Sequence, residues 1–290
     1  MKNVFIVGCG YMGIRLSRLE RAEGSRVAAM ARSEASGNLL RQEGMEVVAG
    51  DLDDAPSLEG LPIEGAIVYY FAPPTPEGLV DSRMDNFLSS IDSSCLPERV
   101  VLISTTGVYG NCGGDWVTED RPPAPEADRA KRRLSAETML TSWGKANSVP
   151  VIILRVPGIY GPGKLPGRRL RQGLPVLREE DSPFSNRVHA DDLARACLAA
   201  ARRGKGGGIY NISDGHPTTM TDYFYKVADH LDIPRPPAIS LEEAKRSLSE
   251  GMLSYLAESK RLDNRKMREE LGVEPLYPDL DRGLASCSRE

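Results

Sequence analysis

The sequence has few of the residues that build metal centres and disulfide frameworks. It contains three histidines, no two of which stand at ligand spacing, so we expect no protein-held metal ion. Its five cysteines are scattered, odd in number and without a C-x-x-C pair. This pattern predicts reduced thiols in a cytoplasmic protein and argues against a secreted domain held by disulfides.

Strong net charge and long apolar runs are also missing. The formal net charge of -4 gives no long-range attraction for nucleic acid. No apolar run approaches the length of a membrane span, and the chain does not open with a basic segment followed by an apolar one. We therefore expect neither a nucleic-acid nor a membrane partner. The length of 290 residues suits one large domain or two unequal lobes.

The most informative stretch is the beginning of the chain, where an apolar strand at residues 4–7 is followed by glycines and a helical pattern. Gly8 permits a tight turn, Gly10 lets the backbone approach a pyrophosphate, and Gly13 lets the helix pack on the strand. The alternative is a chance run of glycines in a turn. The predicted phosphate-binding residues are Gly8, Gly10, Tyr11, Met12 and Gly13.

The end of the second predicted strand, Arg26–Ala31, bears on which dinucleotide binds. An acidic residue often stands there and accepts hydrogen bonds from the adenine ribose. This chain has Ala31 at that place, followed by Arg32 and Ser33. An arginine and a hydroxyl are suited to a 2′-phosphate, which favours NADP over NAD. The alternative is that Arg32 is a solvated loop residue.

The remaining apolar runs alternate with helical patterns, which predicts an α/β fold with a Rossmann-type doubly wound parallel sheet. Its expected ligand site lies at the carboxyl ends of the strands. A smaller, discontinuous C-terminal lobe is expected to close over that edge. Residues 1–157 with about 188–213 form the predicted dinucleotide-binding domain, and about 158–187 with 214–290 the substrate lobe. Further strands are predicted at residues 46–52, 67–71, 99–104, 149–156 and 209–212, and helices at 79–91, 130–143 and 193–202.

Six short motifs, in this order, resemble the extended short-chain dehydrogenase/reductases, a superfamily of NAD(P)-dependent sugar-nucleotide epimerases and dehydratases. They are Gly8-x-Gly10-x-x-Gly13, Gly50-Asp51-Leu52, and the segments at residues 104–110, 158–163, 188–192 and 210–213. The resemblance implies that Asp51 and Leu52 frame the adenine. It also implies that Phe71, Ala72 and Pro73 follow the ribose and phosphates, and that Ser104, Thr105 and Val156 border the nicotinamide.

The chain departs from this family at its catalytic motif. The family normally uses a serine or threonine with Tyr-x-x-x-Lys, in which the tyrosine moves a proton and the lysine holds the ribose. Thr105 fits the hydroxyl position, but Arg129 and Arg133 stand where the tyrosine and lysine are expected. Arginine is a poor proton donor because it stays protonated. Arg133 is expected to hold the ribose.

Residues 115–143 contain no tyrosine, so a substitute must come from elsewhere. Tyr109 and Tyr160 lie in neighbouring strand-end loops and are the available substitutes. We take Thr105 and Tyr109 as the candidate catalytic pair. The alternative for Tyr109 is that it packs the loop after the fifth strand.

Three further patterns have competing interpretations. Arg168, Arg169 and Arg171, with the basic residues 131–133, predict either an anion-binding cluster or a solvated surface. His189 with Asp191 and Asp192 has the composition of a catalytic pair, but we expect His189 to join the two lobes and the two acids to favour a helix start. The helices at 79–91 and 130–143 are rich in apolar residues, which predicts a homodimer by the family resemblance or, alternatively, a cover for the sheet.

The sequence thus predicts an epimerase/dehydratase-like oxidoreductase that prefers NADP, with NAD as the second choice. Its expected substrate is a small carbonyl or hydroxyl compound, and sugar nucleotides are among the candidates. The competing hypothesis is a non-catalytic sensor or scaffold protein that binds the dinucleotide without turnover, as the missing tyrosine would allow.

Overall fold

A computed structural model describes residues 1–288 of the chain. Those residues form fifteen strands, many of them very short. In chain order they are β1 (Asn3–Val7), β2 (Arg26–Ala31), β3 (Glu46–Ala49), β4 (Ile67–Tyr70), β5 (Arg99–Thr105), β6 (Trp116–Val117), β7 (Val151–Val156), β8 (Gly158–Tyr160), β9 (Val176–Leu177), β10 (Phe184–Ser185), β11 (Arg187–His189), β12 (Ile209–Asn211), β13 (Thr218–Thr219), β14 (Ala238–Ile239) and β15 (Arg261–Leu262).

The same residues form eleven α-helices. They are α1 (Tyr11–Ala22), α2 (Glu34–Gln42), α3 (Ser82–Ser89), α4 (Asp128–Asn147), α5 (Gly167–Arg171), α6 (Ala190–Arg203), α7 (Met220–His230), α8 (Leu241–Ser247), α9 (Glu250–Leu256), α10 (Arg265–Leu271) and α11 (Leu280–Ala285). None of these helices has the length and apolar character that a bilayer crossing needs, within the described residues.

Seven strands form one parallel sheet in the order β12-β7-β5-β4-β1-β2-β3. The order reverses at β1, whose neighbours are β4 and β2, as in a doubly wound sheet. The predicted fold class is therefore confirmed. All seven strands run in the same direction, so their carboxyl ends lie along one edge, which is where the glycine turn and Thr105 are found.

The sheet has a core on each face because its central strands are apolar throughout. In β1, Val4 and Ile6 belong to one buried cluster, while Phe5 and Val7 belong to another on the opposite face. The first cluster lies beneath α1 and α6, and the second beneath α3 and α4. Burial of both faces explains why these strands lack the polar alternation of an exposed sheet.

The second lobe has a small core of its own and is built from short strand pairs. Tyr160 and Leu170 pack there against Tyr223 and Phe224 of α7 and against α11. The pairs β10–β13 and β9–β14 lie in this part of the chain. After the lobe's first segment the chain returns to the main sheet, where β12 pairs with β7. This confirms the predicted return of the last strand.

The structure corrects the extent of one predicted helix and adds one that was not predicted. The helix predicted at residues 79–91 is shorter, because α3 begins only after Asp81, whose side chain caps it by accepting a hydrogen bond from Met84 N. Leu79 and Val80 lie exposed in the preceding loop. The sequence analysis also missed α2, although Ser33 and Ser36 form a capping box at its start. Helices α3 and α4 cover the sheet, which was the second of their two predicted uses.

Candidate functional site

The glycine turn after β1 leaves no space for a side chain at Gly8 but ample space at Gly10. Gly8 has φ +84°, and a Cβ there would lie 2.4 Å from Ala72 N at the end of β4. A Cβ on Gly10 would meet nothing within 4 Å, so the surface above that residue is open. The turn therefore presses against the neighbouring strand while exposing its backbone at the start of α1. This is the shape that a pyrophosphate needs.

The first turn of α1 is suited to an anion. Its N-cap is Gly10, with no side-chain cap and no acidic residue in the first turn. Backbone N–H groups and the positive end of the helix dipole are thus available to phosphate oxygens. The ring of Tyr11 lies between two cations, 3.8 Å from the Arg15 guanidinium carbon and 5.0 Å from Lys164 Nζ. Its hydroxyl donates to Pro162 O at 2.9 Å and ties this turn to the second lobe.

On the adenine side, the residues predicted to bind the cofactor lie near one another at the ends of β2 and β3. Arg32 is exposed, and no ion pair is formed by it within the described chain. Ser33 caps α2, so its oxygen already accepts a hydrogen bond from Ser36 N. The Asp51 carboxylate accepts from Asp53 N, and Leu52 is buried.

The segment after β4 is held by an arginine from α4. Phe71 N donates to Val7 O at 2.8 Å, which extends the pairing of β4 with β1. Both terminal nitrogens of Arg133 donate to Ala72 O at 3.2 Å. Burial lowers the pKa of Arg133, and nearby Asp81 opposes that shift. Arg133, Ala72 and Pro73 therefore lie together on the side of the cleft where the resemblance predicts the ribose and nicotinamide.

The floor beneath the strand ends is a buried, fully polar contact set. Ser104 donates a hydrogen bond to the Glu137 carboxylate, which also receives Arg155 Nη2 at 2.8 Å. All three side chains are buried, and they join β5, α4 and β7. Val156, the last residue of β7, is buried beside them. This network holds the strand end from which Thr105 emerges.

Thr105 is the predicted catalytic residue that the structure places in the cleft. Its Oγ1 accepts a hydrogen bond from Gly107 N at 3.2 Å. A hydroxyl that accepts from the backbone keeps its own hydrogen available for donation. Thr105 can therefore donate to a substrate oxygen.

The cleft between the sheet edge and the second lobe has a volume of about 490 Å³. Four cations and one carboxylate line it, although the whole chain carries a net charge of -4. No group of three or more His, Cys, Asp or Glu side chains is placed to hold a metal ion in the described chain. The lining residues include Pro74, Thr105, Thr106, Gly107, Arg129, Arg133, Gly158, Ser185, Asn186, Arg187, Met220, Tyr223, Tyr255, Glu258 and Lys260.

Tyr109, the other predicted catalytic residue, does not line this cleft. Its side chain is 1% exposed, and its hydroxyl donates to Asn211 Oδ1 at 2.8 Å. Burial raises the pKa of Tyr109 to about 12, and the opposing Arg155 only partly offsets that effect. Tyr160, the second suggested substitute, is also buried and donates to Asp279 O. Both tyrosines pack the fold, which for Tyr109 was the alternative interpretation.

The family to which these features belong is shown by sequence comparison. A family model described as the NAD dependent epimerase/dehydratase family matches residues 4–213. The chain belongs to this family. The protein YeeZ of Escherichia coli (strain K12) is 28% identical over 288 residues, which cover 96% of this chain and 97% of YeeZ.

Two solved structures show the same fold along the whole chain. A functionally unknown conserved protein from Silicibacter pomeroyi DSS has a TM-score of 0.81 and 26% identity, covering 99% of this chain and 98% of that one. The dTDP-glucose 4,6-dehydratase of Bacillus anthracis str. Ames, in complex with NAD, has a TM-score of 0.78 and 19% identity, covering 99% and 95%. At that identity the second comparison concerns the fold alone.

In this epimerase/dehydratase family member, the sequence analysis missed most of the cleft wall. Arg129, which stands where the family has its tyrosine, lies 3.8 Å from the ring centre of Tyr255 and donates to Ser254 Oγ at 2.6 Å. Tyr255 comes from α9, more than a hundred residues away along the chain. Arg187 is the first residue of the three-residue strand β11, and Lys260 directly precedes the two-residue strand β15. No spacing in the sequence marks such segments as neighbours.

Two further predictions concerned the basic run of α5 and His189. The basic run of α5 does not line the cleft, and Arg169 instead lies over the ring of Phe224 at 5.1 Å. His189 is buried, its ring centre lies 3.8 Å from that of Tyr277, and its Nδ1 accepts from Asp191 N. Burial lowers the pKa of His189. The expected lobe-joining contact of His189 is confirmed.

Proposed function

We propose that the protein is an NADP-preferring oxidoreductase of the epimerase/dehydratase kind that acts on a small carbonyl or hydroxyl compound. The observation that carries this proposal is the position of Thr105, a hydroxyl donor in a cleft at the same sheet edge as the glycine turn. The proposed division of labour keeps the predicted boundaries, with residues 1–157 and about 188–213 binding the dinucleotide. The remaining segments bind the substrate.

The residues present fit a nicotinamide dinucleotide. The open backbone at Gly10 and the uncapped start of α1 suit the pyrophosphate, and Arg133 lies where the ribose is expected. When bound, the nicotinamide would supply or accept the hydride. The Bacillus anthracis dehydratase was solved with NAD, which supports a cofactor of this type. Arg32 favours NADP because its exposed guanidinium is free to meet a 2′-phosphate.

Proton movement requires a group in the cleft, and we assign it to Tyr255. The Arg129 guanidinium lies against the face of its ring, where it stabilises negative charge that develops on the phenol oxygen. Tyr255 is 53% exposed and lines the cleft with Thr105. In the reducing direction, Thr105 donates a hydrogen bond to the substrate oxygen and Tyr255 delivers the proton that converts a carbonyl to a hydroxyl. The reverse direction returns the proton to Tyr255.

Cofactor preference is tested by calorimetric titration with NADPH and NADH. We expect NADPH to bind more tightly and Arg32→Gln to remove roughly tenfold of that preference, which is one charge-assisted contact. Arg26→Gln is the matched control, because Arg26 is an exposed arginine at the opposite end of the same strand. If neither cofactor binds, the proposed function fails.

Catalysis is tested by hydride exchange between labelled cofactor and a panel of carbonyl compounds. Thr105→Ala should lower kcat/KM by about a hundredfold, whereas Thr105→Ser should retain most activity. Tyr255→Phe should lower kcat by a similar factor. Full activity of both Thr105→Ala and Tyr255→Phe would contradict these roles.

A second function is favoured by one specific observation. Arg129 replaces the family's proton donor and is already engaged with Ser254 and Tyr255. A protein that binds the dinucleotide as a sensor or scaffold would tolerate this arrangement. Tight cofactor binding without hydride exchange on any carbonyl would select this alternative.

A further inference from the structure

Arg187 is a buried cation in the wall of the cleft that lacks a counter-ion. Its residue surface is 9% exposed, and the residue lines the cavity. No carboxylate of the described chain lies within 4.0 Å of its guanidinium, although fourteen pairs of an arginine with a carboxylate occur elsewhere in that part of the chain. A buried guanidinium without an anion is costly, because desolvation is not offset by charge.

The contacts that Arg187 does make are with neutral groups. Nη1 donates to Asn186 O at 2.7 Å, and Nη2 lies 3.2 Å from Met220 Sδ, a weak acceptor. The guanidinium carbon lies 4.1 Å from the ring centre of Tyr223. A Cβ on Gly158 would lie 3.0 Å from Nη1. The absence of a side chain at Gly158 therefore gives the guanidinium room at the cleft wall. The side chain is held in position without a carboxylate in contact, and Asp214 acts on its charge only from beyond 4.0 Å.

Two further polar atoms in the same wall have no partner. Ser185 Oγ is buried without a hydrogen bond. Glu258 Oε2 accepts from Lys260 Nζ at 2.7 Å, while Glu258 Oε1 is buried and accepts nothing. The cleft wall thus offers an unpaired cation, an unpaired hydroxyl and an unpaired carboxylate oxygen. Buried polar groups usually have partners, so two orphan oxygens beside a cation that contacts no carboxylate point to a ligand that supplies the missing partners.

We propose that the substrate is a hydroxylated acid, whose phosphate or carboxylate group binds Arg187 and Ser185 and one of whose hydroxyls donates to Glu258. A planar guanidinium presents two parallel donors, which match two oxygens of either oxyanion. This inference rests on the proposed function and deepens it by naming the chemical class of the substrate.

The other cations of the cleft are less available to an anion. Arg129 donates to Ser254, and Arg133 directs both terminal nitrogens at Ala72 O. Lys260 is neutralised by Glu258. Among the buried cleft cations of the described chain, Arg187 alone lacks both a carboxylate and a carbonyl outside its own dipeptide.

The test is a calorimetric titration with three probes that share one sugar ring. Glucose 1-phosphate carries a phosphate, glucuronate carries a carboxylate, and glucose carries neither. Titrations are made with saturating NADPH, so that the probes do not bind at the glycine turn. We expect at least one anionic probe to bind tenfold or more tightly than glucose, and the stronger of the two identifies the oxyanion.

The variants separate the effect of the Arg187 charge from the general effect of replacing a buried arginine. Arg187→Met should abolish the preference for the anionic probe, and Arg187→Lys should retain part of it. Arg169→Met is the matched control: this arginine also stacks on α7, has a pKa lowered by burial and forms no ion pair with the described residues, but it does not line the cleft. It should keep the preference. If Arg187→Met does not fold, Ser185→Ala and Arg187→Lys still report on the site.

The outcomes separate this inference from the proposed function. Equal affinity for glucose and both anions, or a preference that survives Arg187→Met, would overturn the inference while NADPH binding remains intact. Failure of NADPH to bind would overturn the proposed function. An anion preference that Arg187→Met removes would still support this subsite in that case.

Discussion

Three arginines of this protein lie against the ring of a tyrosine, and they differ in what meets their charge. Arg155 lies 4.7 Å from the ring centre of Tyr109, Arg187 lies 4.1 Å from that of Tyr223, and the corresponding distance from Arg129 to Tyr255 is 3.8 Å. Arg155 is paired with the buried Glu137. Arg187 is equally enclosed and has no carboxylate, and Arg129 is partly solvated.

This comparison shows that stacking on an aromatic ring does not by itself identify a functional arginine. The charge of Arg155 is paired with Glu137 within the fold, and this pair stabilises the floor under Thr105. Arg187 has the same burial and the same type of ring contact, but its charge is left for a ligand. The presence or absence of a counter-charge is therefore the informative difference.

The largest expected effect comes from removing the counter-charge of Arg155. Glu137→Gln should lower the free energy of unfolding by about 3–5 kcal/mol, since it leaves a buried guanidinium unpaired and weakens the bond from Ser104. Urea unfolding followed by circular dichroism measures it. Glu46→Gln, which breaks the exposed pair with Arg26, is the control and should have almost no effect. Equal losses in both variants would contradict the contrast.

The second-largest expected effect tests whether Asp214 acts as a counter-ion of Arg187. Burial raises the pKa of Asp214 to about 7, although Arg187 acts to lower it. In the unfolded chain an aspartate has a pKa near ~3.9. As pH rises between these values the unfolded state loses its proton first, so the native state is progressively disfavoured, and the full penalty is present above pH ~7.

Asp214→Asn removes this titration. The free energy of unfolding of the variant, relative to that of the unaltered protein, should rise by about 2 kcal/mol from pH 5 to pH 8. Urea unfolding of both proteins at each pH measures this difference. Asn keeps an oxygen for the bond from His216 N. A large loss of stability at pH 8 would mean that Asp214 does pair with Arg187, and the distinction from Arg155 would disappear.

The smallest expected effect on stability belongs to Arg129. Arg129→Gln should change the free energy of unfolding by less than about 1 kcal/mol, because its contacts with Ser254 and Tyr255 are partly solvated. The same change should lower kcat in the hydride-exchange assay by tenfold or more if Tyr255 moves the proton. A stability loss as large as that of Glu137→Gln would show that Arg129, like Arg155, mainly stabilises the fold.

The sequence was sufficient for the parts of the site that are contiguous. The glycine turn, the strand ends and the order of the motifs predicted the fold and the position of Thr105, because each lies within one short segment. The cleft wall was not predictable in the same way. Ser185, Arg187, Tyr255 and Glu258 come from separate short segments, and only tertiary packing brings them together.

Tyr109 illustrates the limit for a single residue. Its place after β5 suggested a catalytic substitute, yet its direction depends on Asn211, which is 102 residues further along the chain. Leu79 and Val80 were wrongly predicted to begin a helix, because apolar residues in an exposed loop resemble the start of a helix. Both errors concern where a side chain points, which periodicity does not fix.

The pairing of β8 with β11 bears on how this protein could be recombined with its relatives. In this pairing Gly158 lies opposite Arg187 and Tyr160 lies opposite His189. The pairing joins the segment that leaves the main sheet after β7 to the segment that returns to it. A third crossing follows β12, before the C-terminal segment. A single-crossover chimera would therefore split either the dinucleotide-binding part or the second lobe between two parents. Exchanging substrate specificity by domain grafting requires two inserts, transferred together with both strands of that junction.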